Sequence, residues 1–341
     1  MLSRVADAIY WMNRYVERAE SVARFVDVNL HLSLDLPHGT SADWAPIVAT
    51  TGDDAMFRAR YEVLSRTNVM RFLTFDREYP NSILSSLRAA RENARSVREV
   101  ISSEMWEQLN HLYLLVRDAR AEDVMAAPHD FFAAVKQGSY AFVGTTYLTM
   151  SHNEAWHFGR LGRLLERADK TSRIVDVKYY RLVPDPAAVD GAVDDIQWGA
   201  LLKSASGLEM YRKRHGRIMP ATVVDFLLFD REFPRSIQHC IKKAQESMQL
   251  LSPPGTTAEQ ELQRLSQQIE VRGAQPLGLL GAGLHAFCDG VQVRLNEVGI
   301  AIAETFFTPH ELAPATAATR GPGQTHTSDG SQSQAQRQTT E

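Results

Sequence analysis

The chain has 341 residues, of which 44% are hydrophobic, and carries a formal net charge of −4 at pH 7. This length allows one large or two smaller domains with a sizeable core, and the absence of a long basic run argues against nucleic acid as a partner. Cys240 and Cys288 are isolated, which excludes a disulfide framework and is typical of reduced, cytosolic thiols. With no signal-peptide pattern and no window of about 18 apolar residues to cross a membrane, we expect a cytoplasmic protein without membrane contact.

Helical periodicity runs through the chain from its first residues, and no run of alternating apolar and polar residues indicates a strand. The sequence therefore predicts an all-α fold. The longest helices are expected at 3–33, 82–101, 103–119, 129–150, 153–182, 235–251, 257–270 and 276–306. Shorter helical segments are expected within 41–75 and 195–229, and the proline-containing stretch 184–191 is the clearest internal break.

Two sequence blocks occur twice, in the same order. Residues 15–28 read YVERAESVARFVDV and residues 164–177 read LLERADKTSRIVDV, with seven of fourteen positions identical. Residues 72–83 read FLTFDREYPNSI and residues 226–237 read FLLFDREFPRSI, with nine of twelve positions identical. Because the order is kept and the offsets nearly agree, we infer that a unit of about 150 residues has been duplicated.

The duplication predicts a particular domain organisation. We expect one helical domain over 1–313, with internal repeats at about 1–150 and 151–313 that pack together as a bundle with pseudo-twofold character. Residues 314–341 are rich in Thr, Gln, Ser and Gly and carry almost no large apolar side chain. Such a segment cannot offset the entropy cost of ordering, so we expect a disordered C-terminal tail.

Each copy of the first block places a group of charged residues beside an apolar arc of its helix. These residues form the candidate cluster: Arg14, Glu17, Arg18, Glu20 and Arg24 in the first copy, and Arg163, Glu166, Arg167, Asp169 and Arg173 in the second. Their spacings of three and four residues allow acids and arginines to pair along one helix.

Two interpretations of this cluster remain open. The ordinary one is a solvated face with surface ion pairs, each worth roughly 0–1 kcal/mol. The alternative is that the two arcs face each other or a shared pocket, as a buried network that sets the register of the repeats or binds an anionic ligand. Recurrence of the pattern favours the alternative, and so does the use of Arg, which suits bidentate recognition of carboxylate or phosphate.

The Asp-Arg-Glu blocks stand before a proline at a predicted helix junction, where a proline is tolerated in the first turn. Asp76 and Arg77 belong to the first block, and Asp230 and Arg231 to the second. Either these residues cap helix ends and pair locally, or they position a loop at a functional face. They are therefore loop candidates for the site.

Glu154 and His157 have the i, i+3 spacing that carboxylate-bridged di-metal bundles use. Such a site needs a second Glu-x-x-His and two further glutamates, yet the aligned positions in the first half are Val5 and Ala8. We therefore expect no metal and keep the pair as weak candidates only. The sequence also lacks a phosphate-binding glycine loop and a nucleophile elbow, so we expect no cofactor of its own and name no catalytic residue.

Residues 9–20, IYWMNRYVERAE, and 158–169, FGRLGRLLERAD, resemble the two Glu-Arg motifs of the alpha-E proteins, a bacterial family with an all-helical domain. Residues 90–98 and 104–110 resemble the central stretch of that family, so the resemblance covers about 1–312. The Asp-Arg-Glu blocks depart from the usual family pattern at that position, and a role for their loop is not carried over.

The resemblance implies a function exercised with a partner. Alpha-E proteins are typically encoded beside, or fused to, a circularly permuted ATP-grasp protein, often near a transglutaminase-like peptidase. ATP-grasp enzymes join a carboxylate to an amine through an acyl phosphate, so ATP and Mg are expected for the partner ligase. The expected function is that of a helical partner which helps to bind an amino-acid, peptide or acyl-phosphate substrate. The alternatives are a stand-alone enzyme, with or without a metal, that acts on the ligated product, and a purely structural interaction module.

Overall fold

The computed structural model describes residues 1–36, 43–182, 192–274 and 282–308. All regular structure in these ranges is helical, which confirms the predicted all-α class. None of the helices described combines the length and the apolar composition needed to cross a bilayer. The predicted break at 184–191 and the predicted tail at 314–341 lie outside the described residues.

The helices of the first half vary widely in length. They are α1 (Ser3–Asp35), α2 (Ala45–Thr51), α3 (Asp54–Arg58), α4 (Arg66–Phe75), α5 (Ile83–Ser96), α6 (Ser103–Asp118), α7 (Ala121–Ala126) and α8 (Pro128–Thr149). The helices of the second half follow a similar order, without a described counterpart of α7. They are α9 (Glu154–Leu182), α10 (Ala192–Ser204), α11 (Leu208–His215), α12 (Pro220–Phe229), α13 (Ile237–Leu251), α14 (Thr257–Gly273) and α15 (Ala282–Ile302), which a π-helical turn extends over Ala303–Phe307.

The predicted long helices agree with these bounds to within a few residues, with two differences. The helix expected at 82–101 ends at Ser96, because Val97 leaves helical geometry and a turn follows it. Ser102 then starts α6 by accepting a hydrogen bond from the backbone N–H of Met105 at 3.1 Å. The helix expected at 276–306 is described from Ala282 onward.

Serine side chains begin the two helices that follow the Asp-Arg-Glu blocks. The hydroxyl of Ser82 accepts from the backbone N–H of Ser85 at 3.1 Å, at the start of α5. The hydroxyl of Ser236 accepts from the N–H of His239 at 3.1 Å, at the start of α13. Both are N-caps of the kind that serine favours.

Helix α1 packs against α9 at the centre of the fold. It buries 21 of its 33 residues, so it is covered on most of its circumference rather than on one stripe. Two glycines of α9 allow the close approach. A Cβ at Gly162 would lie 2.4 Å from the carbonyl oxygen of Tyr10, and a Cβ at Gly159 would lie 2.6 Å from Nδ2 of Asn13. These contacts are reciprocal, since Tyr10 aligns with Gly159 and Asn13 with Gly162.

Helix pairs of the first half have counterparts in the second. Helix α1 contacts α5 and α8 as α9 contacts α13 and α15. Likewise, α6 packs on α5 and α8 as α14 packs on α13 and α15. These recurring pairs are the arrangement that a duplicated unit would produce. The duplication itself stays an inference from the repeated sequence blocks.

Candidate functional site

Glu166 on α9 is completely buried. The guanidinium of Arg18 on α1 donates to both carboxylate oxygens, with Nε at 2.6 Å from Oε1 and Nη2 at 3.0 Å from Oε2. Nε of Arg14 donates to Oε2 at 2.9 Å, and Nζ of Lys170 lies 3.5 Å from Oε1. Burial alone would raise the pKa of Glu166, but the three cations outweigh burial and hold that pKa well below its usual range. We call these four residues, with Asp169 and Arg173, the Glu166 cluster.

Glu17 on α1 is the reciprocal case. The guanidinium of Arg167 on α9 donates through Nε to Oε1 at 2.7 Å and through Nη2 to Oε2 at 2.8 Å. Arg235, just before α13, donates to Oε1 of Glu17 at 2.9 Å and to Oε2 of Glu20 at 3.1 Å. Burial would raise the pKa of Glu17, but Arg167 and Arg235 outweigh it and hold that pKa at about 2. We call these four residues, with Arg24 and Arg163, the Glu17 cluster.

The two Glu-Arg dipeptides therefore exchange partners across the interface of α1 and α9. No hydrogen bond or ion pair joins Glu17 to its neighbour Arg18. Instead, each carboxylate accepts a bidentate arginine from the opposite helix, an arrangement that is stronger and more directional than a single contact. The two arcs contact each other, and their arginines keep only a small exposed fraction, 14% for the side chain of Arg18 and 15% for that of Arg167.

The outer members of the clusters pair along their own helix, at the spacing noted in the sequence. Arg24 pairs with Glu20, and Nε of Arg173 donates to Asp169 at 3.0 Å. Arg24 also donates to the hydroxyl of Tyr140 on α8 at 2.6 Å. Burial lowers the pKa of Arg24 to about 10, and the charge of Arg235 acts in the same direction.

Arg163 differs from every other arginine of the two clusters. It aligns with Arg14 and lies within electrostatic range of Glu17, yet it makes no hydrogen bond or ion pair with the residues that the structure describes. Burial lowers its pKa to about 10, with a further contribution from the charge of Arg167. None of its nitrogen atoms is fully buried, so the unpaired guanidinium still reaches solvent.

The family comparison gives one clear result. A model of a family named Alpha-E, described as a predicted alpha-helical domain with a conserved ER motif, matches residues 1–307. The chain belongs to the Alpha-E family. Its sequence contains Glu-Arg dipeptides at 17–18 and 166–167 and nowhere else. In this Alpha-E chain, therefore, both dipeptides that can supply the family motif take part in the buried exchange.

Curated relatives carry this domain in a longer chain. Uncharacterised proteins of Mycobacterium bovis and Mycobacterium tuberculosis are each 23% identical to this chain over 292 residues. The match covers 79% of this chain and 32% of each relative, so the chain spans about a third of the length of the relatives it matches. No solved structure matches the chain.

The loop candidates organise their own turns in this Alpha-E fold. Oδ1 of Asp76 accepts from the backbone N–H groups of Glu78 and Tyr79, and its Oδ2 accepts from Nε of Arg60 at 3.0 Å. Asp230 repeats these contacts with Glu232, Phe233 and Arg214. Arg77 and Arg231 are exposed and form no ion pair within the described ranges. These contacts match the local interpretation of the blocks, and Arg77 and Arg231 do not reach the central clusters.

Sequence reasoning missed three residues that contact the clusters. Arg235 and its counterpart Asn81 precede the caps of α13 and α5, and Asn81 accepts from Nη1 of Arg18 at 2.7 Å. This position is one of the three that differ between the otherwise similar blocks, which was the available signal. Lys170 was also detectable, because it follows Glu166 by four residues on the same helix.

The structure does not bring the weak metal candidates into a shared site. The side chain of Glu154 is 57% exposed, and Nδ1 of His157 lies 3.4 Å from the hydroxyl of Ser247. Neither belongs to a group of three possible metal ligands among the residues described.

A different group was missed by sequence reasoning. Ligand atoms of Asp27, His31 and His129 lie within 4.8 Å of one another. However, Nζ of Lys136 is only 2.6 Å from Oδ2 of Asp27, so an ammonium already compensates that carboxylate. The geometry is that of a hydrogen-bonded ion cluster between α1 and α8.

Proposed function

We propose that this Alpha-E chain is the helical partner of a circularly permuted ATP-grasp amide or peptide ligase. In this role, its central arginines would help to bind an amino-acid, peptide or acyl-phosphate substrate. The observation that carries the proposal is the excess of cations around the buried carboxylates of α1 and α9. The four guanidinium groups of the Glu17 cluster face only two carboxylates, and one of the four has no partner.

The chemistry of amide ligation makes such an excess useful. A carboxylate substrate and the acyl phosphate formed from it are both anionic, and arginine binds such groups through two parallel hydrogen bonds. The residues of this chain would bind and orient the anionic group. ATP and Mg would be bound by the ligase.

Two further considerations support a partner. The resemblance described above associates the family with ATP-grasp proteins and with a transglutaminase-like peptidase, which we propose as a second partner. In addition, the matched mycobacterial relatives are about three times as long as the region they share with this chain. A domain that works beside other domains in some chains is suited to work beside separate proteins in others.

The proposal is tested by co-expressing the chain with the ATP-grasp protein encoded beside it. We expect the two proteins to co-purify and to release ADP in a reaction that depends on an added amine. The matched control omits this chain. Absence of a complex, together with the same ADP release without this chain, would contradict the proposal.

One observation favours a second candidate, a purely structural interaction module. Glu166 is completely inaccessible and is compensated by three cations, so its cluster already forms a closed network. If the chain is only structural, Glu17→Gln and Glu166→Gln will weaken the complex and the fold together. The ADP release of each remaining complex will then be unchanged.

A further inference from the structure

We propose that Arg163 anchors a binding site for a phosphoryl dianion, formed by the Glu17 cluster alone. The proposal rests on the proposed function only for its view that an anionic group binds near α1 and α9. It specifies the cluster that binds the anion, the residue that anchors it and the charge that the ligand carries.

The guanidinium of Arg163 lacks a hydrogen-bond or ion-pair partner among the described residues. A largely desolvated charge is costly unless an opposite charge or several hydrogen bonds compensate it. Burial and the neighbouring Arg167 together outweigh the attraction of Glu17 for the charged form of Arg163. An anion that docks against its guanidinium would supply the missing partner.

The aligned residue Arg14, by contrast, has a full set of contacts. Nε of Arg14 donates to Glu166 at 2.9 Å, its Nη1 donates to the hydroxyl of Tyr10 at 3.1 Å, and its guanidinium lies 4.9 Å from the ring centre of Trp11. Every cation of the Glu166 cluster is hydrogen-bonded or ion-paired in this way. A ligand would have to break one of those contacts, whereas Arg163 is available without such a cost.

The two halves complete their central carboxylates differently. In the Glu17 cluster, Oε1 of Glu17 accepts from both Arg167 and Arg235, while Oε2 accepts from Arg167. The position of Arg235 is occupied by Asn81 in the first half, and Asn81 leaves Glu166 free for Arg14. Arg235 therefore occupies Oε1 of Glu17, the oxygen that corresponds to the one Lys170 approaches on Glu166. Oε2 of Glu17, which corresponds to the oxygen that Arg14 contacts on Glu166, accepts no hydrogen bond from Arg163.

Charge selects the ligand. Arg24, Arg163, Arg167 and Arg235 face Glu17 and Glu20, an excess of two positive charges. The Glu166 cluster has the same excess, but only in the Glu17 cluster does one of the cations, Arg163, lack an ion-pair partner among the described residues. The nearby thiol of Cys240 does not compensate them, because burial raises its pKa to about 12 and keeps it neutral. Arg160 is already paired with Glu246 at 3.1 Å. A phosphoryl dianion neutralises the cluster, whereas a single carboxylate would leave one positive charge.

The cluster also remains reachable. The side chains of Arg167 and Arg235 keep 15% and 13% of their surface exposed, and Tyr140, which contacts Arg24, is 47% exposed. The nitrogens of Arg163 are likewise not fully buried, so each of these side chains keeps some surface in contact with solvent.

The test is calorimetric titration of the purified chain with inorganic phosphate at about pH 8, where the dianion predominates. Acetate at matched ionic strength is the carboxylate probe. We expect phosphate to bind more tightly than acetate. Arg163→Gln should weaken phosphate binding by about tenfold or more, the loss of a charge-assisted hydrogen bond. Arg160→Gln, which removes a charge already paired with Glu246 one turn earlier on α9, should weaken phosphate binding clearly less than Arg163→Gln does.

A second measurement keeps the test independent of folding. Because Arg163 has no partner in the unliganded chain, Arg163→Gln should leave the melting temperature unchanged or raise it. Three results would each overturn the proposal: an equal loss of phosphate affinity in Arg163→Gln and Arg160→Gln, tighter binding of acetate than of phosphate, or a clear drop in the melting temperature of Arg163→Gln. The ligase is absent from these assays, so failure here leaves the partnership standing, and failure of the partnership leaves this site standing.

Discussion

The Glu166 cluster and the Glu17 cluster contain matching residue types at aligned positions, yet they are completed differently. Glu166 accepts hydrogen bonds from Arg14 and Arg18, and every cation around it is paired. Glu17 accepts hydrogen bonds from Arg167 and Arg235, and Arg163 has no partner among the described residues. A repeated motif thus predicts the ingredients of a site but not its completion. The completion also involves residues that differ between the copies, among them Asn81 before α5, Arg235 before α13 and Lys170 on α9.

The largest effect is expected from Glu166→Gln. This change leaves Arg14, Arg18 and Lys170 around an uncharged amide, and removing one partner of a buried ion pair typically costs about 3–5 kcal/mol. Glu17→Gln should lower the free energy of unfolding by less, because Arg235 still pairs with Glu20 and the cluster is partly open to solvent. Urea unfolding would measure both changes.

The control for these variants is Glu78→Gln. The side chain of Glu78 is 77% exposed, so its ion pair with Arg60 should contribute less than about 1 kcal/mol. If Glu166→Gln lowers the free energy of unfolding by no more than Glu78→Gln does, the network is not buried in solution.

A pH dependence should follow from the same carboxylates. The pKa of Glu17 falls from 4.5 to about 2 on folding. A depressed carboxyl pKa adds stability that is fully present above the unfolded value and is lost as the pH falls through the folded value. For Glu17 this amounts to about 3 kcal/mol, lost between about pH 5 and pH 2. Urea midpoints across that range should decline less steeply in Glu17→Gln than in the wild type, and parallel slopes would contradict the assignment.

The two interface glycines should differ in sensitivity. At Gly162 a Cβ would meet the backbone of Tyr10, which cannot move without separating α1 from α9, so Gly162→Ala should cost about 1–3 kcal/mol. At Gly159 it would meet the side-chain amide of Asn13, which can rotate away. Gly159→Ala should therefore cost less, and a larger loss there would contradict the close approach at Gly162.

The smallest effects are expected at the two caps. Ser82→Ala and Ser236→Ala should each cost about 1 kcal/mol, because each hydroxyl accepts from the first turn of its helix and donates to the carbonyl of Asp76 or Asp230. Thermal unfolding of the two variants tests whether the loops are equivalent. A clear inequality would show that Arg235 alters its turn as well as its cluster.

The sequence predicted the helices well because apolar periodicity reports directly on helical faces. It also predicted which charged residues gather on α1 and α9. It could not predict their partners, because a spacing of three or four residues permits local pairs as readily as pairs across an interface. Arg235 and the contact between Asp27 and His129 depend on chain segments far apart in sequence, and only packing of the helices brings them together.

The central claim, that the Glu-Arg dipeptides exchange partners between α1 and α9, is tested most directly by a double-mutant cycle. Urea unfolding of Glu17→Gln, Arg167→Gln and the double variant should give a coupling energy of roughly 1–3 kcal/mol. The same cycle on Glu17 and its neighbour Arg18 should give a value near zero. A larger coupling between Glu17 and Arg18 than between Glu17 and Arg167 would contradict the exchange.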